Sequence, residues 1–316
     1  MRKALIIGID NYPTCSLNGC VNDAMQISTI LQKNSDGSPN FYVKQIADSS
    51  KSEITKSNIK QEIKNLFSGD PDIALFFFAG HGSFDLYGGY IVTPDYKEYD
   101  DGVSMDEILI AANNSKAKNK IIILDCCYSG NIGSPKSTDG KFSQLADGVT
   151  ILAACRSMET AGEVNRQGIF TTLLIDALQG GCADLLGNIS PGSIYAYVDR
   201  ALGPWAQRPV FKTNVSRFVS LRSVSPPIDP IVLRNITLYF ASPHKEYPLD
   251  PTYEFTEPNA IQKNVTIFKE LQKMAGVGLV KPIDEEHMYF AAKNSKSCKL
   301  TAMGLQYWQL TNSGKI

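Results

Sequence analysis

Two runs, "DIALFFFAG" at 72–80 and "NKIIILD" at 119–125, set the tightest limit on the fold. Each is apolar at consecutive positions and is bounded by polar or glycine residues. A strand with one wet face alternates apolar and polar side chains. A strand apolar on both sides is covered on both sides, which is the signature of a mostly parallel sheet between helices. Further strands are predicted at 3–9, 40–48, 148–155 and 208–211, with a small one at 88–94. Between them, helical spacing of apolar residues predicts helices at 20–33, 57–67, 105–114, 168–180 and 190–202. Ser57 is expected to start the second of these, and Ser190 to cap the last with Pro191 in its first turn. The expected architecture is therefore α/β, a three-layer α/β/α sandwich on a mostly parallel six-stranded sheet.

The texture changes at "SVSPPIDP" (223–230), where three prolines interrupt any helix or central strand. A Pro-rich linker is expected over 223–260, closing a first domain at 1–222. A small α+β domain of winged-helix type is expected over 261–316. Its helices are predicted at 265–278 and 300–310, the latter capped by Thr301, and its short strands at "LVKP" and "HMYFAA".

The chain has 316 residues and a net charge of −1, and residues 231–316 carry only a slight basic excess. No field is expected to recruit nucleic acid or an anionic membrane. The longest apolar run, "IALFFFAG", is far shorter than a membrane span, and "MRKALIIGIDNY" is not expected to act as a leader peptide, since its apolar run is short and ends at Asp10. The seven cysteines show no C-x-x-C pair and no Cys/His cluster, which speaks against zinc. A reducing, cytoplasmic setting is expected.

In a parallel sheet, sites form at the carboxyl ends of central strands. His81, one of only three histidines, comes directly after 72–80. Cys126 and Cys127 come directly after 119–125. Imidazole and thiols are thus expected at one sheet edge. A Cys nucleophile needs a base within reach and donors for the oxyanion. The glycines flanking His81 leave backbone N–H groups open to a substrate carbonyl.

Several segments together carry a family resemblance: "ALIIGIDNYPTCSLNGCVNDA" (4–24), "FFFAGHGS", and "LDCCYSG", supported by "ILAACRSMETAGE" and "GIFTTLLIDAL". Over about residues 1 to 220 the chain resembles the caspase-like cysteine peptidases (clan CD, family C14), more closely their metacaspase branch, although Tyr128 stands where the D-x-C-H-S-G motif has His. The resemblance implies that Cys127, the Cys followed by x-S-G, is the nucleophile and that His81 handles protons. It implies an oxyanion hole from the N–H groups of Gly82 and Cys127. Asp23 and Asp125 match the two acids of the metacaspase S1 pocket, which implies cleavage of a protein or peptide substrate after Arg or Lys.

No cofactor is implied for the chemistry itself. For calcium, the resemblance offers Asp95, Asp106 and Glu107, but the position seven after the nucleophile, often acidic in such enzymes, is Ser134. Calcium takes about six to eight oxygens, so the shell is thinned. The loop 130–148 holds Lys136 and Lys141 and is a candidate for self-cleavage. The block 261–316 is read as a regulatory or protein-interaction module. The competing reading is a non-catalytic caspase-fold scaffold whose last domain binds a protein partner or DNA.

Overall fold

The computed structural model of the chain describes residues 1–47, 54–98, 100–132, 144–154, 163–164, 167–203 and 208–316. Ser134, Lys136 and Lys141 lie outside the described residues. The chain forms two units, Met1–Ala183 with Asn188–Ser225, and Asp184–Gly187 with Pro226–Ile316.

The first unit begins β1 (Arg2–Gly8), α1 (Cys20–Gln32), β2 (Tyr42–Ala47), α2 (Lys56–Leu66) and β3 (Ile73–Ala79). It continues β4 (Gly82–Asp85), β5 (Gly88–Lys97), β6 (Asp100–Ser104), α3 (Met105–Asn113), β7 (Asn119–Asp125) and β8 (Val149–Ala153). Then come two short strands, β9 (Glu163–Val164) and β10 (Gln167–Gly168), and after them α4 (Ile169–Asp176) and β11 (Asn188–Ile189). The unit ends with α5 (Pro191–Leu202), β12 (Val210–Asn214) and β13 (Arg222–Ser223).

The six-stranded sheet has the order β12-β8-β7-β3-β1-β2. Its pairings are parallel except that β12 runs antiparallel to β8. Both apolar runs split by alternation. Phe76, Phe78, Ile122 and Leu124 pack with α2 and α3 residues such as Ile59 and Ile108. Leu75, Phe77, Ile121 and Ile123 pack with Ala24, Phe170 and Ile194 of α1, α4 and α5. Full burial of each such side chain is worth roughly 1.5–3 kcal/mol, and these strands collect it on both faces. The fold is thus a three-layer α/β/α sandwich, with its mostly parallel sheet enclosed by helices.

Local signals held with one exception. Ser190 caps α5 in a reciprocal capping box with Ser193, and Pro191 opens the helix. The second helix starts earlier than predicted: Thr55, not Ser57, accepts from the Asn58 N–H at 3.2 Å. Of the antiparallel sheet β4-β5-β6, the sequence marks only the middle strand. Its flanking strands "GSFD" and "DDGVS" are short and polar and carry no period of two.

The second unit holds α6 (Pro230–Arg234), α7 (Ile236–Tyr239), β14 (Tyr247–Pro248), α8 (Gln262–Gly276) and β15 (Val280–Pro282). It closes with α9 (Met288–Lys293), β16 (Ser297–Leu300) and α10 (Ala302–Asn312). Its antiparallel sheet has the order β14-β16-β15. Two expectations change here. The stretch 223–260, expected as a linker, contributes Ile228, Leu233, Ile236, Phe240 and Leu249 to this unit's core. "HMYFAA", expected as a strand, is helix α9, because Met288, Ala291 and Ala292 bury at i, i+3 and i+4. Thr301 caps α10 as predicted, accepting from the Gly304 N–H at 3.0 Å. The Trp308 indole N–H donates to the Phe240 carbonyl at 2.6 Å, fastening α10 to the segment after α7. Among the described residues no helix is long and apolar enough to cross a membrane.

Candidate active site

Strand register decides where the imidazole and the thiol emerge. In the β3–β7 pair, Ala79 lies opposite Asp125. His81 and Cys127 each stand two residues beyond that matched pair, at the carboxyl ends of adjacent central strands. The Gly80 N–H still donates to the Asp125 carbonyl at 3.3 Å, so the strands remain together up to the point of departure.

The two departing segments then touch. A Cβ on Gly82 would stand 2.1 Å from the Cys127 oxygen and 3.3 Å from the Cys126 sulfur, a space only glycine fits. Cys126 is buried beneath this contact, while Cys127 is half-buried. Beyond Cys127 the chain reverses through Tyr128, whose φ of 59° is left-handed. The Tyr128 ring stacks on Phe84 of β4, with centroids 6.2 Å apart. A short 3-10 turn, Ser129–Asn131, comes next.

His81 is gripped by one loop to which no sequence signal connected it. Its backbone N–H donates to the Tyr12 hydroxyl at 3.0 Å, and the two rings lie 4.6 Å apart. Its Nε2 lies 2.5 Å from the Cys15 carbonyl oxygen. A carbonyl only accepts, so Nε2 carries the proton and Nδ1 of the neutral ring is the basic nitrogen. Cys15 adopts a left-handed φ of 58°, which turns its carbonyl out of the local chain path. Asp10 anchors the loop: its carbonyl accepts from the Leu17 N–H at 2.9 Å, and its carboxylate accepts from Cys20 N–H at 2.8 Å. The trace of this loop in the sequence is "DNYPTC", an Asp–Asn turn with Pro directly after the apolar strand.

Asp23 and Asp125 come from different elements, α1 and β7, and are both buried, at 1% and 6% exposure. The Asp23 carboxylate accepts from the Gly168 N–H at 3.0 Å. The Asp125 carboxylate accepts from the Thr171 hydroxyl at 2.7 Å. A Cβ on Gly168 would stand 2.3 Å from Asp125 Oδ2 and 3.1 Å from Asp23 Oδ2. The two acids therefore converge on the start of α4, where the helix dipole favours negative charge. Asp23 does not cap its own helix; Asp10 does that through Cys20 and Val21.

The calcium candidates do not converge. Asp95 accepts from the Lys56 backbone N–H at 3.0 and 3.2 Å. Glu107 pairs with the Lys60 ammonium at 2.9 Å. Asp106 lies at the start of α3, where burial raises its carboxyl pKa and the Lys212 charge opposes the rise. Among the described residues no group of three or more His, Cys, Asp or Glu is arranged to hold a metal ion. This donor set does not fit a calcium shell of oxygens.

The family described as the caspase domain matches residues 1–219. Among solved structures, the protein GSU0716 from Geobacter sulfurreducens superposes with a TM-score of 0.53 at 17% identity, covering 71% of this chain and 100% of that one. Caspase-1 from Spodoptera frugiperda superposes with a TM-score of 0.51 at 15% identity, covering 71% of this chain and 91% of that one. No curated protein matches the chain.

Proposed function

This chain belongs to the caspase-domain family over residues 1–219, and from that premise we propose that it is a cysteine endopeptidase acting through Cys127 and His81 on protein substrates, after Arg or Lys. The observation that supports the reading best is the shared register. His81 and Cys127 leave adjacent parallel strands two residues past one matched pair, and the Gly82 backbone packs against Cys127.

In this mechanism the Cys127 thiol gives its proton to Nδ1 of His81 and attacks the scissile carbonyl. The N–H groups of Gly82 and Cys127 take the developing oxyanion, a type of contact worth about 10²–10³ in rate. His81 then protonates the departing amine, a thioester remains on Cys127, and water hydrolyses it. The Cys15 carbonyl holds Nε2–H, which keeps Nδ1 as the base and stabilises the imidazolium formed in the first step. No metal is required for these steps.

Asp23 and Asp125 make an Arg or Lys side chain at P1 the favoured cation for the pocket, since two buried carboxylates offset one guanidinium or ammonium. Lys136 and Lys141 belong to the class this pocket accepts, and self-cleavage in the loop 130–148 is part of the proposal.

Fluorogenic peptides with Arg, Lys or Asp at P1 test it. Turnover of the Arg and Lys peptides, lost in Cys127→Ala and in His81→Ala, is expected. Turnover of the Asp peptide alone refutes the pocket assignment. No turnover of any peptide returns the chain to the scaffold reading. A Cys127→Ala protein that is still shortened when purified alone refutes self-processing.

A further inference from the structure

The turn after Cys127 is held from the far end of the unit. The Lys212 ammonium, on β12, donates to the Gly130 carbonyl at 3.1 Å and to the Ile132 carbonyl at 2.7 Å. These are the third and fifth residues after Cys127, just before Ser134, the position at which the metacaspase resemblance expected a calcium-binding acid. Backbone carbonyls are the kind of hard oxygen donor that calcium takes. Here two of them are turned onto one side-chain cation. Asp106, a second expected calcium ligand, has its carboxyl pKa raised by burial, and the Lys212 charge opposes that rise. Of the other two acids, Glu107 pairs with the Lys60 ammonium and Asp95 accepts from the Lys56 backbone N–H.

We infer that the half-buried Lys212 ammonium is the built-in cation of the turn after Cys127, gathering the Gly130 and Ile132 carbonyls as a divalent metal would, so that this protein needs no calcium to order that turn. Three features of an ammonium suit the task. It has three donors, two of which are used on the carbonyls. It is covalently tethered, so it does not dissociate. Its single charge suits two neutral carbonyl oxygens, which bring no negative charge to balance. Burial draws the Lys212 pKa below its usual value, which is the electrostatic cost of the arrangement. Lys212 is a positioning residue: it acts on Cys127 through the turn and not on the substrate.

The experiment compares wild type, Lys212→Met and Lys212→Arg, each with a chelator and with millimolar calcium. For wild type, calcium is expected to shift Tm by under about 1 °C, because an unfilled site gives no binding stabilisation. In Lys212→Met, amide exchange over residues 128–132 is expected to rise about tenfold or more, and calcium does not reverse it. Lys212→Arg, which keeps charge and donors, is expected to hold exchange within about threefold of wild type. If Lys212→Met does not fold, Lys212→Gln takes its place.

The kinetic arm rests on the peptidase reading. Lys212→Met is expected to lower kcat about tenfold with KM within about threefold, since the turn orients the nucleophile and not the pocket. Calcium that raises the wild-type Tm by more than about 3 °C overturns the inference, as does unchanged exchange in Lys212→Met. Absence of turnover in wild type in every buffer counts against the peptidase reading alone. The Tm and exchange measurements then decide the role of Lys212.

Discussion

Gly82→Ala probes the contact on which the site depends. The added methyl carbon would stand 2.1 Å from the Cys127 carbonyl oxygen and 3.1 Å from its carbon, whereas real contacts of this kind do not fall below 3.0 Å. The obstructing atoms are backbone at the end of a buried strand, so no side chain can swing aside. Relief requires the two segments to part by about 0.9 Å, in an interior packed as densely as an organic crystal. A misplacement of about 1 Å between reacting groups costs on the order of 100-fold in rate. That is about 2.7 kcal/mol of barrier, at roughly 1.36 kcal/mol per tenfold. The expected result is a kcat about 100-fold below wild type on an Arg or Lys peptide. Far-UV circular dichroism and Tm distinguish a displaced site from an unfolded chain. Gly276→Ala is the control, because a Cβ there meets nothing within 4 Å. A folded Gly82→Ala protein with kcat within about threefold of wild type would refute the claim that His81 and Cys127 are set by this contact.

Tyr12→Phe removes the hydroxyl that accepts the His81 N–H but keeps the ring beside the imidazole. Loss of one such bond predicts a kcat about fivefold to tenfold lower with little change in KM, and an unchanged kcat would contradict it. Thr171→Val deprives the buried Asp125 carboxylate of a donor at 2.7 Å. Urea unfolding of the first unit is expected to show a loss of about 1.5–3 kcal/mol, the range for bonds to charged groups. The Asp72 carboxyl is held down to about 2 by Lys118 and by the terminal amine. Because its folded pKa lies below the unfolded value of 3.8, its contribution is full above that value and is lost as pH falls towards 2. Asp72→Asn should therefore flatten the Tm–pH profile between about pH 4 and 2 and leave neutral pH as the region of greatest difference.

Much of the first unit was legible because its determinants are local. "DIALFFFAG" and "NKIIILD" could only be strands covered on both faces, and a parallel sheet gathers at one edge the residues that come after such strands. That reasoning expects His81 and Cys127 at one sheet edge, and the register puts each two residues beyond the Ala79–Asp125 pair. The motif resemblance added Asp23 and Asp125, whose convergence on Gly168 no spacing rule would have shown across 145 residues. "HMYFAA" misled because a six-residue apolar run is too short for period alone to separate strand from helix. The stretch 223–260 misled because prolines mark turns and helix starts as readily as linkers; Pro230 opens α6.

What the sequence determined by itself was the set of covered strands and which residues stand at their ends, since apolar period and turn residues act within a few positions. What only the tertiary structure decided was who holds those groups in place: Tyr12 and Cys15 on His81, Gly168 and Thr171 on the two acids, Lys212 on the turn after Cys127. Each is a polar contact between residues at least 46 positions apart. A hydrogen bond depends on direction and on distances of a few tenths of an ångström, which are set by packing and leave no periodic trace in the chain.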